Sequence, residues 1–398
     1  MGTVRTRRTL HVMLVAGEAS GDALGAGLMA ALQASAGGAV RFTGIGGPVM
    51  EARGLVSLFP MQELSLMGIA EVLPKVRHLA RRLREAEDHA LASGPDAIVT
   101  IDSPGFNFRL AKRLKPQGLT MIHYVAPSVW AWRPGRAKKI APLFDHLLTL
   151  LPFEPRLFEE EGLRSTFVGH PVIESGARSG DRAAFCARHS IASDAPVVCV
   201  LPGSRGSETS RLLGPFGETV RTLAGEFEGL TAVVPAVPHL EATVRAAAQT
   251  WRAPTIVVPP DEKYDAMAAS DVGLAASGTV ALELALAQVP HVIAYRMNPL
   301  TWMIVSRLAR TPYVHLVNVL LRRPVVPELL QGACTPARLA DAVAAVLTDP
   351  ERRAAQLEGA AEAIAMLTPL AGSPSQAAAD TVLKVIDGKL PASTAAPS

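Results

Sequence analysis

The sequence predicts an α/β protein made of two successive doubly wound parallel sheets followed by helices. Short β-branched apolar runs alternate with helical patterns along most of the chain, the signature of βαβ units. The runs fall into two sets: 10–16, 40–45, 96–102, 120–126, 146–151 and 165–168, then 196–202, 231–236, 255–258, 271–275 and 290–295. Between the sets lies 174–195, polar and rich in Gly, Ser and Arg, which reads as the boundary. The division is a first unit at 1–180, a second at 190–345, helices at 346–387 and a frayed tail at 388–398. Two such units expect a cleft at the carboxyl ends of their strands, where open α/β sheets bind ligands.

Composition narrows the function. The 398 residues are 49% apolar and 19% charged, which permits large cores and excludes wholesale disorder. Lys plus Arg is 39 against 36 Asp plus Glu, too balanced for a chain that wraps nucleic acid. No nucleic-acid partner is expected, and an anionic ligand must be met by local geometry. Cys186, Cys199 and Cys334 form no CxxC pair, which argues against a disulfide framework or a zinc site and fits a reducing cytoplasm. The uncharged stretch 116–132 holds Gln117, His123 and two prolines, so it does not read as a membrane span. The apolar run after Arg7 and Arg8 stops at Gly17-Glu18 and reads as a first strand, not as a signal peptide.

In the first unit, strand 10–16 ends in Gly17-Glu18-Ala19-Ser20-Gly21-Asp22, a turn of small residues into an amphipathic helix. Ser20 or Asp22 suits a helix cap, whereas Glu18 at the strand's carboxyl edge is less easily explained by capping. Gly44-Ile45-Gly46-Gly47-Pro48 superficially resembles a dinucleotide fingerprint, but its glycine spacing is wrong. Strand 96–102 delivers Asp102 to its carboxyl end, before Ser103-Pro104-Gly105, where a general base belongs. The run from His123 to Arg133 places Trp130 and Trp132 on one loop, suited to a sugar face or to packing. His123 and His170 lack metal-ligand spacing, and core roles are expected of them.

In the second unit, strand 196–202 is followed by Gly203-Ser204-Arg205-Gly206-Ser207-Glu208 and a helix. Free N–H groups at the helix start and the Arg205 fork make an anion site. It is not the GxxxxGK[ST] loop of an ATPase. Strand 271–275 leads into Ser277-Gly278-Thr279, which can hold a diphosphate, with Glu283 four residues past Thr279 on the same helical face and within reach of a ribose hydroxyl. No Asp-x-Asp pair is present, so no metal and no cofactor is expected, and Arg205 with the helix starts must carry the charge.

These residues resemble the lipid-A-disaccharide synthases, bacterial glycosyltransferases with two Rossmann-like units of GT-B type. The resemblance runs from about Leu14 to Val346 and rests on seven ordered blocks: 14–22, 101–107, 123–132, 151–154, 168–171, 201–208 and 277–283. It implies inverting transfer of 2,3-diacylglucosamine from its UDP conjugate to 2,3-diacylglucosamine 1-phosphate, with UDP released. Asp102 is then the base, with Glu18 and Asp22 as runners-up. Arg205, Ser204, Ser207, Ser277, Gly278, Thr279 and Glu283 take UDP, and Asn318, Glu328 and Gln331, after strand-like 314–320, complete its site. Gly105 departs from the family, which often has an acid there; this concentrates the choice on Asp102. The alternatives are a UDP-sugar epimerase of the same architecture and a non-enzymatic two-domain binding protein.

Acylated substrates imply a peripheral place on the cytoplasmic face of an anionic inner membrane. Leu66, Met67 and Ile69 lie in a dense apolar segment before a helix carrying Arg77 and Arg81, the combination that rests on lipid. Trp130 and Trp132 belong to the same acceptor side. Oligomeric state is left open.

Overall fold

The computed structural model describes residues 9–64, 72–132 and 134–388. Parallel strands must be covered on both faces, and the runs that form them here are almost wholly apolar. Among the described residues, the first sheet holds β1 (Leu10–Ala16), β2 (Val40–Ile45), β3 (Val56–Ser57), β4 (Ala97–Ile101), β5 (Met121–Tyr124), β6 (His146–Thr149) and β7 (Ser165–Phe167), in the order β3-β2-β1-β4-β5-β6-β7. The second holds β8 (Val197–Leu201), β9 (Thr231–Pro235), β10 (Thr255–Val258), β11 (Val272–Ala276), β12 (His291–Tyr295) and β13 (Glu328–Leu330), in the order β10-β9-β8-β11-β12-β13. Every pairing is parallel. Val12 to Ala16 and Ile98, Val99 and Ile101 are sealed in one core, and Val198, Val200, Val272 and Leu274 in the other.

In each sheet the strand order reverses between two neighbours, β1 with β4 and β8 with β11, paired in register up to Ala16–Ile101 and Leu201–Ala275. Such a switch point is where helices leave to opposite faces and open a crevice at the strand ends. Gly17-Glu18 and Asp102 follow one pair, and Gly203–Ser207 and Ser277–Thr279 follow the other.

The structure corrects several sequence expectations. The stretch 314–320 is not a strand: Leu316–Leu321 is a helix, its N-cap His315 accepting from Val317 N–H at 3.0 Å. β3 and β13, of two and three residues, were too short to show a period. Strands expected at 96–102 and 120–126 stop at Ile101 and Tyr124, because Asp102 and Val125 turn to positive φ.

The chain divides into Met1–Pro171 with Leu367–Ser398, and Val172–Met366. The second unit thus begins ahead of the expected 174–195 boundary, and the helices from 346 are not a separate body. Helix Pro374–Ile386 returns to the first unit because Ala378, Ala379 and Val382 form an apolar stripe buried in its core. A Cβ on Gly27 of helix Ala19–Ser35 would lie 2.5 Å from Ser375 Oγ, so the two helices meet too closely there for a larger residue.

Candidate functional site

In the first unit, the residues after β4 and β5 are held in backbone conformations that non-glycine residues rarely adopt. Asp102 has φ 48°, Ser103 φ 44° and Val125 φ 81°. Each such residue costs on the order of 1–3 kcal/mol and persists only where its surroundings enforce it. Asn107 Nδ2 donates to the carbonyls of Ile101 and Asp102 at 3.1 and 2.8 Å, and Asp102 N–H donates to Tyr124 O at 2.9 Å. Val125 N–H donates to Leu148 O at 3.1 Å. The result fixes Asp102 as a half-buried side chain at the end of a buried strand. A Cβ on Gly17 would lie 2.4 Å from Ser103 Oγ, so the β1 end packs directly on this turn. Glu18 follows, exposed and extended at the start of helix Ala19–Ser35, and its side chain makes no capping bond.

Asp22 does not fit the role of a base. It is 2% exposed and accepts N–H bonds from Gly47, Val49 and Met50 at 2.9, 3.0 and 3.0 Å. A carboxylate that is already engaged by three donors is an anchor for the turn at Gly47-Pro48. The same contact leaves the glycine run there without free N–H groups at Gly47, Val49 and Met50 to offer a phosphate. A Cβ on Gly47 would come within 2.5 Å of Asp22 Oδ2.

The aromatic loop divides in the same way. Trp130 Nε1 donates to Glu154 Oε1 at 3.2 Å, and its ring stands edge-on to Phe153 at 5.6 Å. Glu154 Oε2 accepts from Leu150 and Leu151 N–H at 3.2 and 3.1 Å. Burial pushes the Glu154 carboxyl up to about 7 against these three donors. Trp132 is partly buried on the same loop. Arg136 lies 5.4 Å over the Phe108 ring, and Arg133 lies outside the described residues. His123 is core as expected: it meets Thr100 Oγ1 at 2.8 Å, stacks on Phe144 at 4.9 Å, and is pushed down to about 3 by burial.

In the second unit the strand ends are built from glycine and helix starts. Gly203 has φ 108° after β8, and helix Gly206–Glu226 begins with Arg205 as its N-cap. Ser204, Arg205 and Ser207 are exposed, and the first-turn N–H groups of Gly206 and Ser207 have no helical carbonyl ahead of them. Arg205 Nη1 is 3.5 Å from Glu208 Oε1, a loose exposed pair. Gly278, at φ 154°, caps helix Thr279–Leu286, and both Gly278 and Thr279 are exposed. Ser277 Oγ donates to Val314 O at 3.3 Å.

Glu283 lies in that helix, buried, and its carboxylate takes Lys263 Nζ at 2.9 and 2.8 Å and Tyr264 OH at 3.0 Å. Three of its roughly four acceptor sites are used, which leaves one for a hydroxyl. Sequence reasoning missed Lys263 and Tyr264, about a helix and a strand away, because nothing local marks them.

Asn318, Glu328 and Gln331, expected to complete the nucleotide site, are engaged with the backbone of neighbouring loops. Asn318 Oδ1 accepts from Val325 and Val326 N–H at 2.8 Å each, and its Nδ2 donates to Val326 O and Glu328 Oε1. Glu328 also accepts from Val314 and His315 N–H at 3.0 and 2.9 Å. The Gln331 amide lies 3.0 and 3.2 Å from the two backbone groups of Met297 and satisfies both once its oxygen is turned to Met297 N–H. These side chains brace loops, although Asn318 and Glu328 border an open pocket of about 400 Å³ with Tyr313 and Leu330.

Of the lipid-surface residues, Leu66, Met67 and Ile69 lie outside the described residues. Arg77 and Arg81 are exposed on helix Val72–Ser93. Arg82 faces inward instead, bidentate on Glu63 at 2.7 and 2.8 Å. Among the described residues, no helix is long and apolar enough to cross a membrane.

The chain matches the family model for lipid-A-disaccharide synthetase over residues 12–381. It is 53% identical over 382 residues to a lipid-A-disaccharide synthase of Rhodospirillum centenum, covering 95% of each chain. A second, from Paramagnetospirillum magneticum, is 51% identical over 94% of this chain and 97% of its own length. Among solved structures it is similar to UDP-GlcNAc 2-epimerase of Neisseria meningitidis bound to UDP-GlcNAc, with TM-score 0.63, 12% identity and coverage of 95% and 100%. It is similar also to Acinetobacter baumannii MurG, with TM-score 0.59, 13% identity and coverage of 95% and 100%. At such identities the structures speak to the fold, two Rossmann-like units of GT-B type, whereas the sequence relatives speak to the family. The chain belongs to the lipid-A-disaccharide synthase family of glycosyltransferases.

Proposed function

We propose that the protein condenses UDP-2,3-diacylglucosamine with 2,3-diacylglucosamine 1-phosphate to give the β-1,6-linked lipid A disaccharide 1-phosphate and UDP. What carries the reading is identity of about half of all positions, over nearly the full chain, to proteins named for that activity. Asp102 takes the proton from the acceptor's 6-hydroxyl as that oxygen bonds to the anomeric carbon. The carbon–oxygen bond to the diphosphate breaks in the same displacement, so the α-linked donor gives a β-linked product. Charge on the departing UDP is met by Arg205, by the helix start at Gly206-Ser207 and by Ser277-Gly278-Thr279. Glu283, held by Lys263 and Tyr264, offers its remaining acceptor site to the ribose. Glu18, exposed beside the Asp102 turn, is the runner-up base.

Each substrate carries acyl chains that are unfavourable in water, so the enzyme works at the surface of an anionic membrane without crossing it. The segment holding Leu66, Met67 and Ile69, with Arg77 and Arg81, is the proposed contact. Trp130 and Trp132 would flank the acceptor. The test is to supply both substrates in mixed micelles, and to follow UDP release and product mass. Conversion of the UDP-sugar to its C2 epimer without acceptor and without net UDP release would replace this reading with an epimerase.

A further inference from the structure

Residues 296–323 carry five arginines, Arg296, Arg307, Arg310, Arg322 and Arg323, and no Asp or Glu. They follow β12 in the second unit and contain helix Pro299–Leu308. Met303, Leu308 and Val314 are 45%, 46% and 36% exposed, three of the eight large apolar side chains with such exposure among the described residues. Single exposed apolar residues need no explanation, but a cluster within twelve positions does. Met303 and Arg307, four apart, share one helical face. Trp302 and Val305 are partly buried, while 306–310 are exposed throughout.

Two of the five arginines are spent. Arg296 Nη2 donates to the Cys334 carbonyl, and Arg323 pairs with Glu362. Arg307, Arg310 and Arg322 are exposed. The neighbouring acid Glu328 accepts from Val314 and His315 N–H and from Asn318, which holds the following turn in place. Ser277 ties the same turn to the diphosphate loop through Val314 O.

We infer that helix Pro299–Leu308 and the turn after it form a lipid-contact element of the second unit, with Met303 and Leu308 among the headgroups of an anionic bilayer and Arg307 and Arg310 at their phosphates. Apolar side chains beside basic ones, with no acid in the stretch, match an anionic lipid surface in both chemistry and sign. A second copy of the chain is a poorer occupant, since two like-charged faces repel. The helix has ten residues, too few to cross a bilayer, so it lies on the surface. The inference goes beyond the transferase reading and does not depend on it.

The test is co-sedimentation of the full chain with phosphatidylethanolamine vesicles, with and without phosphatidylglycerol. The variants are Arg307→Gln with Arg310→Gln, and Met303→Ser with Leu308→Ser. Each is made both in the natural chain and beside Leu66→Ser with Met67→Ser, which separates any contribution of the first unit. Removing two charges is expected to weaken partition to phosphatidylglycerol-containing vesicles by roughly 30-fold in both backgrounds. The apolar pair is expected to lower partition as well, with UDP affinity by calorimetry unchanged in all variants. Unchanged partition in both pairs overturns the inference. So does loss of a dimer by sedimentation velocity with vesicle binding intact, which assigns the face to a second copy. The vesicles hold no substrate, so failure here and failure of the transferase assay are told apart.

Discussion

The two units meet the same topological problem with different residues. Both reverse their strand order at one point and place loops there, yet at that point the first unit puts the non-glycine residues Asp102 and Ser103 at positive φ, where the second puts Gly203 and Gly278. Glycine adopts such conformations freely and lets backbone N–H groups approach a ligand, so the second unit's loops are fitted to bind anions through the main chain. A carboxylate held in left-handed backbone is strain of the kind that collects at functional sites. In the proposed mechanism the first unit's loops position a reacting group. The proposed division of labour is one of chemistry on one side and charge neutralisation on the other.

The sharpest break would come from Asp102→Asn. Asn tolerates left-handed backbone, so the turn should survive while kcat falls by about 10² to 10⁴. UDP affinity should stay within about twofold of the natural chain. Near-normal kcat would move the base to Glu18, and a matching loss of UDP affinity would erase the distinction between the units.

Arg205→Ala should lower kcat/KM by about 10² to 10³, the scale of a lost donor to a developing oxyanion, and weaken UDP as well. If the loss appears in kcat with UDP binding untouched, Arg205 acts on chemistry more than on binding, and the second unit is not a passive cradle.

Glu154 sharpens the comparison through pH, because it holds the Trp130 loop of the first unit. Its carboxyl is raised from the ordinary 4.5 to about 7 by burial, so the folded chain keeps a proton that the unfolded chain has lost. Its stabilising contribution is complete below about pH 4.5 and falls away as pH rises to about 7, a change of roughly 3 kcal/mol. Denaturant unfolding across that window should show this slope, and Glu154→Gln should flatten it. An unchanged slope in the variant would show that the three N–H donors keep the group ionised.

The smallest effect is expected of Gly278→Ala. An added Cβ meets nothing within 4 Å, so only the backbone at φ 154° objects. A penalty on the order of 1–3 kcal/mol should appear as about tenfold weaker UDP binding, with the Asp102 turn unaffected. Full affinity would mean that the main chain of this loop does not bind the diphosphate.

Most of the fold was legible because its signals are local. An apolar run of five residues bounded by Gly, Pro or Asp announces a buried parallel strand, and the turn after it announces a strand-end loop. The strands β1, β4, β8 and β11 were read this way, and with them the loops at Glu18, Asp102, Arg205 and Ser277. Strands β3 and β13 escaped because two or three residues carry no period. The stretch 314–320 misled because Val and Leu suit helix and sheet alike when both faces are covered.

By itself the sequence determined the alternation of strand and helix, the two strand sets and the residue types at each strand end, all properties of neighbours along the chain. Tertiary structure decided what each polar side chain does. Asp22 became an anchor through N–H groups 25 to 28 residues away, and Glu283 became the centre of a cluster through Lys263, 20 residues away. Gln376 reached Ser35 across 341 residues as the last helix rejoined the first unit. A carboxylate or amide satisfies its hydrogen bonds with whatever donors the fold brings near, and spacing along the chain does not encode that proximity.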